Sequence, residues 1–478
     1  MARINTNVPA LVAQRTLVQN QRDLQVSLER LSSGLRINRG ADDPAGLINS
    51  ETLRAEIAGV DKAIGNSQRA INVIATTESA LDETASLLID IQGLIVEMAN
   101  EGALSPEEIE ANQLQIDLAI RSINRIANTA SFAGRKLLDG SLDYAISGLN
   151  INAIDAVQVH GANFGSMPFV PVELVLTTSA QKAELQYRAS STTGTSNVEI
   201  AGNEGVTTVS FVSGQPADRI VAAVNSNSLS TGVEAYMLNS ANPASGIGFR
   251  SMGYGSDQFV SVTVISGTFA TVDTSGNQVQ RDEGRDAVAL INGARSIGRG
   301  LDLVLNSNVL DISLRLDENF GLTSTTFAIT GGGALFQLGP DVNPNQQVNI
   351  GVGSVAPSRL GNAAVGFLSQ IAQGQAFEAA RDPTTAGIAS NIVNAAIREV
   401  SVLRGRLGAF ERNTLQTNIN SQRIAMENLM ASESAIRDTD FAAETSRLTR
   451  AQILVNAGTS VLAIANTTTQ SVLSLLGG

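Results

Sequence analysis

The chain has 478 residues, enough for two or more domains with separate hydrophobic cores. It contains no cysteine and a single histidine, His160, which excludes disulfides, thiol nucleophiles and two-histidine zinc sites. The formal charge of −13 disfavours nucleic acid and anionic membranes as partners, because both select basic surfaces. No run approaches the roughly 18 to 20 apolar residues of a membrane-spanning helix. We therefore predict no cofactor, no metal, and no membrane or nucleic-acid partner.

His160 is the residue through which any Ser-His-Asp triad would have to run. It lies in the Gly- and Asn-flanked stretch 159–163, which contains no nucleophile-elbow sequence. A lone histidine in a polar loop is usually solvated. Asp282, Glu283 and Asp286 could in principle supply an acid and a base, but their clustering indicates a charged surface turn. The chain is therefore predicted not to be an enzyme.

The N-terminal part is predicted to be helical, because no proline lies between Pro44 and Pro106 to interrupt a long helix. Leucines at heptad spacing mark one side of the first helix: Leu17, Leu24, Leu28, Leu31 and Leu35. Residues 38–44 predict a turn, and a second helix is predicted from about residue 45 to 100. The sequence Ser105-Pro106-Glu107-Glu108 predicts a third helix, because serine suits the cap, proline the first helical position and acids the helix dipole.

The middle of the chain, from about residue 170 to 333, alternates apolar and polar residues between Ser/Thr/Gly/Asn turns. This pattern predicts a β-rich insert. Two weakly similar units, around 217–236 and 284–316, are each interpreted as a short helix ending in asparagine, followed by a strand. The two asparagines are Asn225 and Asn292. The similarity is too weak to establish a repeat.

The C-terminal part mirrors the N-terminal part. A helix is predicted from about residue 388 to 434, and the stretch 437–440 interrupts it and can cap the next helix. That last helix repeats apolar and small residues at heptad positions: Leu454, Ala457, Val461, Ile464 and Leu475. Long helices at both chain ends have little compact core nearby, so they must bury each other or a partner. The predicted fold class is α+β, with long terminal α-helices and an inserted β-rich outer domain.

Both chain ends carry motifs of a known family. Residues 27–38 (SLERLSSGLRIN) and 41–46 (ADDPAG) resemble the N-terminal signature of bacterial flagellins. Residues 434–444 (SAIRDTDFAAE) and 451–463 (AQILVNAGTSVLA) resemble the C-terminal signature. Residues 335–361 are similar to the β-hairpin element of that family. The resemblance covers about the first 140 and the last 145 residues.

The resemblance implies three parts. These are an inner coiled-coil domain of residues 1–44 and 436–478 (D0), a helical shaft domain with β-hairpins of residues 45–169 and 334–435 (D1), and a variable outer domain of residues 170–333. It also implies an extracellular structural subunit of the flagellar filament, used for swimming motility. Such a subunit is exported unfolded by the flagellar type III apparatus, without a cleaved signal peptide, and assembles itself into a helical tube. The alternative is the hook-filament junction protein, which shares related termini, but the match through Leu476 favours the filament.

The implied partners are further copies of the chain, an export chaperone on the C-terminal helix, and the filament cap and junction proteins. The residues expected to bury the inner coil are Leu17, Leu24, Leu28, Leu31, Leu35, Leu454, Ala457, Val461, Ile464 and Leu475. Those expected to orient the turn between inner and outer tubes, through salt bridges, are Arg30, Arg36, Asp42, Asp43, Arg437 and Asp440. Activation of an innate immune receptor is expected to be weak or absent, because Asp90 and Gln92 occupy positions where many flagellins carry arginine. The N-glycosylation sequon at Asn466 falls on the predicted inner helix and is interpreted as chance.

Overall fold

The computed structural model describes residues 6–476 apart from residues 101, 166, 308, 363 and 364, and from residue 468 onward it describes the backbone alone. The helices are α1 Val8–Ser33, α2 Pro44–Met98, α3 Pro106–Thr129, α4 Ala217–Asn225, α5 Ser228–Thr231, α6 Pro383–Phe410, α7 Thr417–Arg437 and α8 Phe441–Leu476. A π-helical turn, Glu411–Gln416, joins α6 to α7. Short 3₁₀ turns are Pro243–Ser245, Pro344–Gln346 and Leu368–Ile371.

Local capping explains where the first helix begins and ends and where the third helix begins. The Asn7 side chain accepts a hydrogen bond from the Ala10 N–H at 3.1 Å, and Gly34, with φ of 75°, ends α1 in the left-handed conformation. Ser105 and Glu108 form a reciprocal capping box at the start of α3, with bonds of 3.3 and 2.8 Å. The helix start predicted at Ser105-Pro106 is therefore confirmed.

The chain divides into two compact units. The first unit comprises Met1–Arg69, Gln337–Val342 and Asn413–Gly478, and the second comprises Ala70–Phe336 and Asn343–Arg412. The first unit is thus assembled mainly from the two chain ends, and the second unit from the middle of the chain. The three-part division implied by the family resemblance stays a prediction.

The strand-rich middle of the chain confirms the predicted β-rich insert. The strands are β1 Ser131–Phe132, β2 Arg135–Lys136, β3 Tyr144–Ser147, β4 Ile154–Ala162, β5 Val170–Thr178, β6 Glu184–Tyr187, β7 Ser196–Ala201, β8 Val206–Phe211, β9 Val233–Met237, β10 Ile247–Ser251, β11 Phe259–Ser266, β12 Arg281–Glu283, β13 Val288–Ile291, β14 Ala294–Arg295, β15 Ile297–Arg299, β16 Asp302–Asn306, β17 Leu310–Leu316, β18 Ser324–Gly332, β19 Ala334–Gln337, β20 Gln347–Ile350, β21 Gly361–Asn362 and β22 Gly366–Phe367.

These strands pair into small sheets whose larger members enclose two hydrophobic cores. The sheet orders are β14-β13-β5-β18-β3, β15-β16-β17-β4, β12-β11-β7-β8, β6-β10-β9, β1-β2, β19-β20 and β21-β22. One core lies between the first two sheets and includes Leu174 and Ile312, which are fully buried. The other joins the third and fourth sheets to α4 and includes Phe249 and Phe269. Strands β5, β7 and β17 bury alternate residues, because successive side chains point to opposite faces of a sheet.

The helix predicted in the second of the two similar units is wrong. Residues 288–291 form strand β13, not a helix, and pair with β14 across the two-residue turn Asn292-Gly293. Asn292 and Gly293 have φ of 49° and 79°, the backbone that an Asn-Gly hairpin turn requires. The turn sequence was the signal that the helical interpretation missed. The helix at 217–225 is confirmed as α4.

The two asparagines nevertheless have the same structural role. The Asn225 amide donates to the Ala235 carbonyl at 3.0 Å and accepts from the Ala235 N–H at 2.7 Å, so it pairs with β9 as another strand would. The Asn292 amide accepts from the Glu173 N–H at 2.8 Å and donates to the Pro171 carbonyl at 2.9 Å on β5. Each side chain therefore satisfies backbone groups that would otherwise lack a partner.

His160 lies on strand β4, so the predicted polar loop is wrong at this position. Its Nε2 atom is 2.9 Å from the Ser313 hydroxyl on the neighbouring strand β17. Residues on both sides of His160 pair with β17, Val159 with Ile312 and Gly161 with Asp311, and the register shifts between these pairs, so His160 is the extra residue of a bulge. The histidine is a cross-strand contact of the sheet.

Asn225→Ala should lower the free energy of unfolding by about 1–3 kcal/mol, because it leaves the Ala235 N–H and carbonyl without their amide partner. Denaturant unfolding followed by circular dichroism measures the change. Asn203→Ala, in an exposed turn of the same region, is the matched control and should change stability little. Equal stability of the two variants would contradict the assigned role of Asn225.

Candidate assembly interface

Helices α1 and α8, from opposite ends of the chain, pack antiparallel in the first unit. Three contacts set their register: Asn7 Nδ2 donates to the Ala465 carbonyl at 2.9 Å, Asn20 Nδ2 to the Leu454 carbonyl at 3.4 Å, and Ser27 Oγ to Glu444 Oε1 at 2.6 Å. We call the residues that face each other the inner seam. On α1 they are Ala10, Ala13, Leu17, Asn20, Leu24, Ser27 and Leu31, and on α8 they are Glu444, Leu448, Ala451, Val455, Gly458, Leu462 and Ala465. Both sets alternate steps of three and four, the spacing of a coiled coil.

Gly458 lets the two helices approach closely. A Cβ built on it would lie 3.2 Å from Leu17 Cδ1, tighter than an ordinary van der Waals contact. Leu17 is accordingly buried, as is Ala451, two turns before Gly458 on α8. Small residues on one helix facing leucine on the other thus form a close-packed part of the inner seam.

Glu444 is a buried carboxylate at the end of the inner seam, with 3% of the residue exposed. It accepts from Ser27 Oγ at 2.6 Å and from Arg447 Nη1 at 3.2 Å, and Arg30 Nη1 lies 3.8 Å away. Such charge-assisted bonds give a buried charge the partners that it needs. Sequence reasoning missed this residue. Its signal was a polar residue at a heptad position of the last helix, opposite another polar heptad residue, Ser27.

The predicted coil residues fall into two groups. Leu17 is buried and Leu24, Leu31 and Leu35 are half-buried, whereas Leu28 is 49% exposed. On α8, Leu454 is 44%, Val461 54% and Ile464 63% exposed, and Ala457 is also exposed. The Leu475 side chain lies outside the described residues. The role of the set in assembly stays a prediction.

The exposed residues on α8 form a second stripe beside the inner seam. We call it the outer stripe: Ile453, Leu454, Ala457, Val461 and Ile464. Four of these precede an inner-seam residue by one position, and one residue along an α-helix is a rotation of about 100°. The outer stripe therefore presents a separate apolar face. The segment Phe441–Thr467 is long and apolar enough to span a membrane, contrary to the expectation from sequence. Helices that pack on other helices can have the same length and composition.

A short antiparallel contact holds the two chain segments that leave the coil. The Arg36 N–H donates to the Arg437 carbonyl at 2.6 Å, and the Thr439 N–H donates to the Gly34 carbonyl at 2.9 Å. The Arg36 guanidinium also donates to the Ile436 carbonyl, at 3.2 Å from Nε. Ile37, only 1% exposed, is the apolar anchor of this turn. The contact ends the coil at the same point in both chain segments.

The three predicted aspartates act as caps and turn residues. Asp42 Oδ2 accepts from the Arg39 N–H at 2.9 Å and from the Asn38 N–H at 3.1 Å, and the Arg39 bond holds the pKa of Asp42 below its ordinary value. Asp43 caps α2 through the Gly46 N–H at 2.9 Å. Asp440 caps α8 by accepting from two N–H groups at 3.0 Å each. The structure records no salt bridge for these three among the described residues.

The predicted arginines use other partners. Arg437 Nη1 contacts Glu51 Oε1 of α2 at 2.8 Å, and Arg30 faces Glu444. Arg36 contacts backbone oxygens. The structure thus brings the predicted turn residues into one region, with Glu51 and Glu444 as the acidic partners that sequence reasoning did not name.

In the second unit, polar side chains tie the helices together. Gln92 Nε2 of α2 donates to Ser390 Oγ of α6 at 2.8 Å, and Arg404 Nη1 contacts Asp82 Oδ1 at 2.9 Å. Gln113 of α3 is 2% exposed and donates to the Ile371 carbonyl at 3.1 Å. The first two bonds join α2 to α6, and the third joins α3 to the turn Leu368–Ile371.

Glu399 of α6 is a half-buried carboxylate that accepts from the Gly361 N–H of β21 at 3.1 Å. Burial raises the pKa of Glu399 to about 7, against an opposing effect of the Gly361 bond. Among the described residues, no charged side chain contributes to this pKa shift. Glu399 therefore holds the β21-β22 hairpin on α6 and titrates near neutral pH.

The described residues contain no group of three or more His, Cys, Asp or Glu side chains that could hold a metal ion. Helix α8 has two apolar faces: α1 covers the inner seam, and the outer stripe is exposed.

Comparisons with known proteins identify the family to which this architecture belongs. The family described as the bacterial flagellin N-terminal helical region matches residues 4–143, and the bacterial flagellin C-terminal helical region matches residues 390–476. The flagellin hook IN motif matches residues 197–251. Flagellin B of Vibrio cholerae is 30% identical over 475 residues, covering 99% of each chain. The chain belongs to the bacterial flagellin family. Flagellins are structural proteins, and this flagellin is an extracellular structural subunit of the flagellar filament used in motility.

Two other relatives also match along nearly the whole chain. The flagellin of Salmonella typhimurium is 28% identical over 516 residues, and Flagellin B of Helicobacter pylori is 28% identical over 534 residues, each match covering 99% of both chains. Among solved structures, the flagellar junction protein FlgL from Legionella pneumophila matches 81% of this flagellin and 99% of its own chain, at 12% identity and a TM-score of 0.28. That TM-score is too low to support a structural conclusion.

Glu444→Ala should loosen the α1-α8 coil by on the order of 3 kcal/mol, because it leaves Arg30 and Ser27 at a buried site without their acceptor. Hydrogen exchange of the α8 backbone amides measures the change. Glu427→Ala, an exposed glutamate on α7, is the control and should leave the exchange unchanged. Unaltered exchange in Glu444→Ala would show that the carboxylate does not hold the coil.

Glu399→Gln should remove a pH dependence of stability. The folded state holds the Glu399 proton up to about pH 7, whereas the unfolded state loses it near 4.5, so stability falls as pH rises through this window. Glutamine keeps an acceptor for the Gly361 N–H but does not titrate. Above pH 7 the variant should therefore be more stable than the parent by on the order of 2–3 kcal/mol.

Unfolding midpoints measured at pH 5 and pH 8 test this expectation. Glu110→Gln, an exposed carboxyl on α3, is the control and should retain the parent's pH dependence. If Glu399→Gln also retained that dependence, the titration would not belong to Glu399.

Proposed function

We propose that this flagellin is exported unfolded by the flagellar type III apparatus and then assembles itself into a helical tube through its terminal helices. The observation that supports self-assembly most is the outer stripe of α8. Val461 and Ile464 are 54% and 63% exposed although the inner seam beside them is covered by α1. An apolar stripe at coiled-coil spacing is stabilised when another helix covers it, and a second copy of the chain can supply that helix.

The proposed organisation has an inner coiled-coil domain of residues 1–44 and 436–478, a shaft of residues 45–169 and 334–435, and an outer domain of residues 170–333. The hydrogen bonds between Arg36 and Arg437 and between Gly34 and Thr439 support a boundary at the end of the coil. The core that contains Phe249 and Phe269 lies entirely within residues 170–333 and supports an insert with its own stability, whereas the core of Leu174 and Ile312 also includes Ile154 and Val159 of the proposed shaft.

Export in an unfolded state is compatible with the covalent chemistry of the chain. The sequence contains no cysteine, so no disulfide has to be broken or avoided during passage. An unfolded segment 441–476 would expose the apolar residues of both the inner seam and the outer stripe, which suits protection by an export chaperone before assembly. Folding of the chain ends is then coupled to assembly, because burial between copies offsets the entropy lost on ordering.

At the ends of the filament, the proposed partners are the cap protein and the junction proteins. The alternative, that this chain is itself the hook-filament junction protein, is less favoured, because the curated relatives from Vibrio cholerae, Salmonella typhimurium and Helicobacter pylori are flagellins. At the two positions where many flagellins carry arginine, Asp90 is exposed and the Gln92 amide donates a hydrogen bond to Ser390. Weak or absent activation of an innate immune receptor stays a prediction.

Val461→Asp should abolish filaments while leaving the fold of the single chain unchanged, because Val461 is exposed before assembly and would place an unpaired charge at an apolar contact afterwards. Leu31→Asp should also abolish filaments, and in addition weaken the coil, because Leu31 is half-buried in the inner seam. Electron microscopy of the purified proteins after mild heating and recooling gives the readout.

Asn456→Asp is the matched control, since it adds the same charge at an exposed position of α8 that lies outside the heptad positions of both the inner seam and the outer stripe. Filaments of ordinary length from Val461→Asp would overturn the proposed role of the outer stripe. If the parent protein formed none under any condition, self-assembly itself would be refuted.

A further inference from the structure

Strand β8 is an open edge of the sheet β12-β11-β7-β8. It pairs with β7 along its whole length, with Ala201 opposite Val206 and Ser196 opposite Phe211. The Gly202 N–H donates to the Gly205 carbonyl at 3.0 Å, which makes this the first hydrogen-bonded pair of the hairpin. Hydrogen-bonded and non-hydrogen-bonded pairs alternate from there, so residues 207, 209 and 211 bond to β7. The N–H and C=O groups of Val206, Thr208 and Ser210 point away from the sheet.

The side chains of these three residues are exposed, and Val206 is 61% exposed. Within the described part of the chain, no strand other than β7 pairs with β8. The open stretch ends at Val212, whose N–H is bonded by the Gln215 side chain at 3.1 Å. Three consecutive outward positions are therefore available to another strand.

Other sheet edges nearby are protected in ways that β8 is not. Strand β9 has the Asn225 amide on its backbone, and β12 consists of the charged residues Arg281, Asp282 and Glu283. Side-chain amides and charges of this kind block further strand pairing. Strand β8 reads VTTVSF, with no charge and no proline. Two copies of it can approach without like-charge repulsion.

We propose that β8 is a self-pairing surface, and that its partner is β8 of a second copy of this chain. Antiparallel pairing about a two-fold axis at Thr208 places Thr208 opposite Thr208 of the second copy, where each donates its N–H to the other's carbonyl. Val206 then lies opposite Ser210 of the second copy, and the reverse. The two four-stranded sheets become one continuous eight-stranded sheet.

The pairing is a contact between inserts and goes beyond assembly through the terminal helices. Neighbouring copies within one helical tube are related by a screw rotation and not by a two-fold axis, so this pairing joins the inserts of two unassembled chains or of two tubes that lie side by side. The pairing depends only on the geometry of the insert, and it can therefore be tested on concentrated unassembled protein as well.

Thr208→Cys in the full chain tests the pairing directly, because the chain has no other cysteine. The hydrogen-bonded pair at the two-fold axis has a Cα separation of about 5.5 Å, within the range for a disulfide. Mild oxidation of concentrated, unassembled protein should convert most of the variant to a disulfide-linked dimer on a non-reducing gel. Dilution into urea before oxidation should prevent this.

Ser210→Cys is the matched control on the same strand, with the same side-chain orientation. The two Ser210 positions would lie about 14 Å apart along the paired strands, too far for a disulfide. A mixture of Val206→Cys and Ser210→Cys proteins should form the mixed dimer, because these positions oppose each other. Thr208→Cys that forms no more dimer than Ser210→Cys in concentrated, unassembled protein would overturn the proposal while leaving assembly through α8 intact.

Discussion

The contact between α1 and α8 is the interaction on which the rest of this flagellin depends. It joins residues as far apart in the chain as Asn7 and Ala465, separated by 458 positions. Closing so long a loop costs conformational entropy, and the close packing of Leu17 on Gly458 with the buried Glu444 cluster offsets that cost. The strand-rich middle is an insertion between two chain ends that pack together, so its length and fold can vary without disturbing the coil.

Within the coil, polar and apolar residues have different tasks. The apolar inner-seam residues provide burial, which is strong but tolerant of sliding. Glu444 with Ser27 and Arg30, and Asn20 with the Leu454 carbonyl, specify one register because a shift would leave these groups without partners. The turn that follows adds backbone pairing and helix caps. The result is a coil of defined length whose remaining apolar surface lies on one face, the outer stripe.

The insert shows the same division between satisfied and open surfaces. Asn225 and Asn292 each pair with a strand backbone, and charged residues line β12. These devices stop sheets from adding strands at those places. The β8 edge lacks them. Both the helical ends and the insert therefore combine internally completed packing with one face suited to another copy of the chain.

Much of this architecture is determined by residues that are close in sequence. Helix boundaries followed from caps such as Ser105 with Glu108, the β-rich middle from alternation, and the family from the signatures at both ends, because each depends on residues close in sequence. Only the tertiary structure decided which of two adjacent heptad stripes on α8 faces α1. Both stripes have the same spacing and differ by one residue, so periodicity cannot distinguish them. The partners of Glu444, the strand at 288–291 and the open edge of β8 were likewise decided by tertiary structure, since each depends on segments far apart in sequence that meet only when the chain is folded.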